Sequence, residues 1–196
     1  MQKAIKERKF VESHMKKALD NNEFIIYLQP KFSISSGEAI GYEALVRWQS
    51  PEKGMIYPDG FIPLFEENGF ITKLDAYVWE CACMVLRDWI DRHFTPLPIS
   101  VNVSRANLDD ESFLDVLDGL IDKYRLPKHL LELEITESIE NDATLRMTEK
   151  IKEHGFVLLM DDFGSGYSSL NTLQDTRFDV LKLDREFFST HMSNDR

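Results

Sequence analysis

Two cysteines in 196 residues are too few for a disulfide framework. Cys81 and Cys83 lie two apart in a stretch that reads as helix, where side chains at that separation do not face each other. Neither a disulfide nor a zinc site is expected, and both thiols suit small core or interface positions in a reducing cytoplasm. Long hydrophobic runs are missing too: Phe156 to Met160 is far too short to cross a bilayer, and the charged opening from Met1 to Phe10 lacks the apolar stretch of a secretion signal. No membrane contact is expected of this segment. Positive charge is scarce, with 23 Lys+Arg against 34 Asp+Glu and a formal net charge of −11. Such a field repels a nucleic-acid polymer, yet admits a small anion wherever a local cation receives it. The histidines, at positions 14, 93, 129, 154 and 191, form no H-E-x-x-H or paired arrangement and are read as surface or core residues rather than ligands.

What is present is enough for one globular domain. The chain is 43% hydrophobic, and at this length folding removes roughly 70% of the extended surface from water without help from disulfides or structural metal. Residues 1–22 read as a charged linker helix whose apolar stripe is thin: Ile5, Val11, Met15, Ala18 and Leu19. From Glu23 to Arg196 the pattern changes to short extended runs alternating with amphipathic stretches, with no low-complexity segment and no repeat. Strands are expected over Phe24 to Gln29, Ala39 to Trp48, Pro98 to Ser104, Leu130 to Thr136, Phe156 to Asp161 and Phe178 to Leu183. Leu74, Val78, Cys81, Val85 and Trp89 share one helical face, as do Phe113, Leu117, Leu120 and Tyr124. This alternation predicts a parallel α/β sheet with helical crossovers, either open or closed as a barrel. The link Ser33-Ile34-Ser35-Ser36-Gly37 is too short for a crossover, so the sheet should begin with an antiparallel hairpin.

Each strand has a polar side. Gly41, Glu43, Leu45 and Arg47 alternate with Tyr42, Ala44, Val46 and Trp48; Ser100, Asn102 and Ser104 with Ile99, Val101 and Val103; Glu132, Glu134 and Thr136 with Leu131, Leu133 and Ile135. A half-buried sheet with one wet face explains most such patterns. Parallel strands under crossover helices are covered on both faces, however, so polar groups near their C-terminal ends point to a ligand site. The apolar run that begins at Phe156 ends abruptly in Asp161-Asp162-Phe163-Gly164-Ser165-Gly166, two adjacent carboxylates entering a glycine loop. Asp162-Phe163-Gly164 echoes the magnesium motif of protein kinases, but the chain has neither a His-Arg-Asp loop nor an upstream G-x-G-x-x-G. The stretch from Phe61 to Phe70, with Glu66 and Glu67, reads as a solvated helix edge.

Asn102, Glu134, Asp161 and Lys182 are spaced by about one strand, helix and strand each. Successive parallel strands would deliver them to one end of the sheet, with Glu43 arriving from the strand before. Carboxylates gathered there repel by roughly 4 kcal/mol per close pair at an effective dielectric of 20. A cavity so lined calls for cations, and all-oxygen ligation without His or Cys selects Mg²⁺ or Mn²⁺ over zinc.

Tyr42-Glu43-Ala44-Leu45-Val46-Arg47-Trp48 resembles the signature of the EAL domain, the bacterial cyclic di-GMP phosphodiesterase module. Five further motifs agree in order and spacing: Tyr27-Leu28-Gln29-Pro30, Val101-Asn102-Val103-Ser104, Leu133-Glu134-Ile135-Thr136-Glu137-Ser138, the loop from Asp161 to Leu170, and Lys182-Leu183-Asp184. The resemblance covers Phe24 to Phe188. It implies a TIM-like (β/α) barrel with an antiparallel first strand and two divalent cations at the C-terminal mouth. Glu43, Asn102, Glu134, Asp161 and Asp162 would hold the metals, with Asp161 shared between the two ions. Lys182 would hold the attacking water, Glu137 would brace the loop after Asp162, Gln29 would meet a guanine, Leu45 and Arg47 would line the phosphate channel, and Asp184 would also serve substrate binding. The implied chemistry is metal-dependent hydrolysis of cyclic di-GMP to linear pGpG in second-messenger signalling.

The motif series stops after about the sixth strand, whereas a closed barrel of this class has eight strands and about 250 residues. Two family side chains from the last strands, a glutamate and a glutamine, have no counterpart. Residues 23–196 are therefore expected to be an EAL domain incomplete at its C-terminus. They are either part of a longer phosphodiesterase or a shortened, catalytically inactive module that binds cyclic di-GMP or a protein partner as a sensor. The first is favoured because every motif up to Lys182 is intact. Unpaired edge strands predict a homodimer or other self-association, and the lead helix resembles the connector to upstream GGDEF or sensory modules.

Overall fold

The structure, a computed structural model, describes residues 2–136, 142–163 and 178–183. Helix α1 (Gln2–Asp20) precedes the hairpin β1 (Phe24–Phe32) and β2 (Ala39–Ser50), followed by a short β3 (Gly54–Ile56) and helices α2 (Ile62–Glu67) and α3 (Ile71–Asp91). Then come β4 (Ile99–Asn102), α4 (Arg105–Leu108), α5 (Ser112–Tyr124), β5 (Leu131–Thr136), α6 (Asp142–Glu153), β6 (Val157–Phe163) and β7 (Val180–Leu183). The strand order is β1-β2-β4-β5-β6-β7, with β3 paired to β2. The β1/β2 and β2/β3 pairs are antiparallel, and every later pair is parallel. Among the described residues this makes an open arc of a β/α barrel. No described helix is long and apolar enough to cross a membrane.

Pleating sorts the strand residues into two layers. Ala44, Trp48, Ile99, Val101, Leu131, Leu133, Leu158 and Met160 are buried on the side covered by helices, where removal of apolar surface supplies most of the stabilisation. Gly41, Glu43, Ser100, Glu132, Glu134 and Asp161 occupy the other side of their strands. That side is no wet face, since Ser100 and Glu134 are both fully buried. At the hairpin end, Phe24, Trp48, Phe61 and Phe65 form an aromatic cluster with ring centroids 5.2 to 6.1 Å apart. The Phe61 to Phe70 stretch is thus core on one side, with Glu66 and Glu67 exposed on the other. Helix α1 lies on this cluster: Val11 and Ala18 are buried, and Phe10 stacks on Trp48 at 5.8 Å.

Element boundaries depart from the expected ones where side chains intervene. β1 continues through Pro30, which is tolerated because, among the described residues, β1 is paired on one side only. β4 stops at Asn102 rather than Ser104, because the Ser104 N–H donates instead to Asp75 Oδ2 at 3.0 Å. Along α3 the buried face is Leu74, Asp75, Val78, Trp79, Ala82, Cys83 and Leu86. Cys81, Val85 and Trp89 are only half-buried at its edge. The face is rotated by about one residue from the periodicity because a buried aspartate belongs to it. Asp75 also accepts from Asn107 Nδ2 at 2.7 Å, and burial, opposed by these hydrogen bonds, pushes its carboxyl up to about 6.

Asp75→Ala should lower unfolding free energy by roughly 2–3 kcal/mol in urea titrations, because it strands two donors in a buried turn. Asp75→Asn supplies a sign test. A raised folded-state pKa contributes stability that is present at low pH and lost as pH rises through about 6. The wild type should therefore gain roughly 2–3 kcal/mol relative to Asp75→Asn between about pH 7 and pH 4.

Candidate active site

Parallel register carries the acidic groups to one place. Glu43 pairs with Ser100, Ser100 with Glu132, Asn102 with Glu134, and Thr136 with Asp161. Side chains at these positions rise on the same side of neighbouring strands, so Glu43 on β2, Glu134 on β5 and Asp161 on β6 converge inside the arc. Each offers an oxygen within 4.8 Å of the other two. Lys182, from β7, sits among them: its Nζ donates to Glu43 Oε2 and Glu134 Oε2 at 2.9 Å each, and lies 3.0 Å from Asp161 Oδ1.

The electrostatics of this basin are unbalanced. Among the described residues three carboxylates face one ammonium, and Glu134, 0% exposed, leaves its Oε1 without a hydrogen-bond partner. A buried carboxylate oxygen with nothing to hold costs free energy unless a cation or donor meets it. Burial, reinforced by the neighbouring Glu134, raises the Glu43 carboxyl above the usual range, with Lys182 acting against it. Burial alone would lower the Lys182 ammonium, but Glu134 and Glu43 override this and hold it above the ordinary lysine value. The donor set is all oxygen and the orphaned atom points to one more positive group, so the residues fit a hard divalent cation.

The end of β6 explains how adjacent carboxylates can serve different directions. Met160 pairs with Leu181 and Phe163 with Leu183, so three steps on β6 oppose two on β7. Asp162 takes the extra residue with φ +56°, a left-handed conformation that aspartate accepts more readily than most residues. Regular pleating would send Phe163 after Asp161 into the basin. The bulge returns it to the apolar layer, where it is buried.

Asn102 stands beside Glu134 in register, on the same side of the sheet, with its side chain exposed. Its carbonyl oxygen is held by Trp79 Nε1 at 3.0 Å. Trp79 and Asp75, one turn apart on α3, therefore fix the segment on both sides of Val103. The sequence reading passed over both; the only available signal was an aspartate interrupting an apolar helical face. Gln29 pairs with Glu43. Gln29, Leu45 and Arg47 line one hollow of about 380 Å³ with Tyr27, Met55 and Tyr57, the Arg47 guanidinium lying 5.4 Å from the Tyr57 ring centre. Leu45, Arg47 and Asn102 also line a second cavity of about 460 Å³ floored by Ile62, Leu74 and Asp75. Asp162 is exposed at the end of β6, and Glu137 and Asp184 lie outside the described residues.

The sequence profile of the EAL domain matches residues 12–196. An uncharacterised signalling protein of Caulobacter vibrioides is 37% identical over 199 residues, covering 100% of this chain and 24% of that protein. The cyclic di-GMP phosphodiesterase NbdA of Pseudomonas aeruginosa is 37% identical over 180 residues, covering 90% of this chain and 23% of its own length. The chain thus spans about a quarter of either relative. Among solved structures, the PaMucR phosphodiesterase in complex with c-di-GMP superposes with a TM-score of 0.85 at 32% identity, covering 94% of this chain and 76% of that one.

Lys182→Met should expose the repulsion that the ammonium relieves. In chelator its melting temperature is expected to fall by about 5 °C or more, and millimolar Mg²⁺ should recover most of the loss while shifting the wild type less. Equal shifts in both proteins would contradict the placement of the cation among these carboxylates.

Proposed function

The chain belongs to the EAL domain family, and from that premise we propose that it hydrolyses cyclic di-GMP to linear pGpG with the help of two divalent cations, Mg²⁺ or Mn²⁺. The observation that carries this reading is the Lys182 ammonium enclosed by carboxylates from three strands while Glu134 Oε1 lacks a partner among the described residues. Glu43, Glu134 and Asp161, with Asn102 and Asp162 at the rim, would hold the cations. Bound there, the cations would supply Lewis-acid stabilisation of charge developing on the phosphoryl oxygens.

The chain's own residues supply the rest. The Lys182 ammonium donates a hydrogen bond to the attacking oxygen and steadies the negative charge it carries as the water gives up a proton. The water oxygen bonds to phosphorus, the ribose P–O bond opposite breaks, and the water proton ends on the leaving ribose oxygen. Arg47 offers the positive charge that lets a dianionic nucleotide approach an acidic protein. Two hollows meeting at Leu45 and Arg47 suit a ligand with two bases joined through phosphates, with Gln29 at one of them. Glu137 and Asp184 enter the proposal as the loop brace and a substrate contact. The N-terminal helix as a connector to GGDEF or sensory modules, and self-association through exposed strand edges, belong to the same proposal.

Incubation with cyclic di-GMP and Mg²⁺ should yield pGpG by chromatography, and Glu43→Gln should lower the rate by at least about a hundredfold, in keeping with loss of several kcal/mol of transition-state stabilisation. Nucleotide binding with no product from the wild type, in this chain and in one extended at its C-terminus by two barrel strands, would refute hydrolysis and favour a sensor.

A further inference from the structure

A second ion pair lies in the same interior, below the basin. Lys31 leaves β1, and its Nζ donates to Glu132 Oε2 on β5 at 2.7 Å and to Ser100 Oγ on β4 at 3.3 Å. The Ser100 hydroxyl in turn donates to the Tyr42 carbonyl at 3.2 Å. To reach β5 the lysine must cross β2 and β4, and the sequence makes room for it. Lys31 pairs with Gly41, where a Cβ would stand 3.1 Å from Lys31 Cε and 3.1 Å from the Pro98 carbonyl oxygen. A glycine is needed here for close approach, not for an unusual backbone angle. The pair is mostly enclosed, with side-chain exposures of 24% for Lys31 and 13% for Glu132.

Glu132 is two residues before Glu134 on one strand, hence on the same side and about 7 Å away. A free carboxylate at that depth would add a fourth negative charge to the interior and compete for any cation entering it. Neutralised by Lys31, it contributes little field. We propose that Lys31 is a positioning residue that withholds Glu132 from the basin, so that the charge balance of the Lys31–Glu132 pair sets the divalent-cation affinity of Glu43, Glu134 and Asp161. This rests on reading the basin as a cation site. Either member alone would leave a full unit charge beneath the basin, where screening by salt is weak.

The two members therefore predict opposite signs, which mere structural support does not. In calorimetric titration with Mn²⁺ and no nucleotide, Lys31→Met should tighten binding by about tenfold and Glu132→Gln should weaken it by about tenfold. The double variant should return to within about threefold of the wild type, and Lys31→Arg should stay near it. Should Lys31→Met fail to fold, Glu132→Gln and the double variant still decide the question: weakening in the first with recovery in the second supports the proposal. Two folded single variants that shift affinity in the same direction, or Mn²⁺ binding indifferent to every substitution, overturn this inference while leaving the basin reading intact. A wild type that binds no Mn²⁺ overturns both.

Discussion

Three carboxylates that should repel one another are held within 4.8 Å in an enclosed interior, and this repulsion organises the rest of the molecule. Like charges at such distances cost several kcal/mol per pair unless positive charge lies between them. Lys182 supplies one such charge, and its ammonium, 2.9–3.0 Å from carboxylates on three strands, ties β7 to β2. Because Glu43 lies on β2 and Lys182 on β7, the ion pairs act across the arc. The pairs to Glu43 and Glu134 join β7 to strands that are not its hydrogen-bonded neighbours among the described residues.

The fold keeps the basin in place by making every alternative costly. Outward positions of β4, β5 and β6 are buried apolar side chains, so a one-residue slip of any strand would drive carboxylates under the helices and leucines into the basin. The bulge at Asp162 keeps the Phe163 ring in the apolar layer, where regular pleating would send it inward. Asp75 and Trp79 grip the turn that follows β4 and so fix the backbone at Asn102. Function here is borne by strand ends whose neighbours are fixed from the helical layer.

Much of this was legible in the sequence, because it depends on period and spacing. Strict alternation put Glu43, Ser100, Asn102 and Glu134 on one side of their strands, and intervals of one strand, helix and strand brought Glu134, Asp161 and Lys182 to one end. The antiparallel start followed from a linker too short for a crossover. What escaped depends on tertiary reach. Lys31 spans three strands because Gly41 leaves room, and no local pattern reports a lysine's destination. Asp75 sits one position from the apolar stripe that the periodicity selected, and only the approach of the Ser104 N–H makes its burial tolerable. β3 is three residues long, too short to carry a pattern.

The claim on which the account turns is that the orphaned Glu134 oxygen and its neighbours form a cation site. Crystals grown with Mn²⁺ and measured for anomalous scattering test it most directly. The account predicts a peak within about 2.0–2.4 Å of oxygens from Glu43, Glu134 and Asp161, with the Lys182 ammonium displaced toward the rim. Well-ordered crystals in which Mn²⁺ scatters elsewhere, or in which Lys182 keeps all three carboxylates with no metal among them, would contradict it.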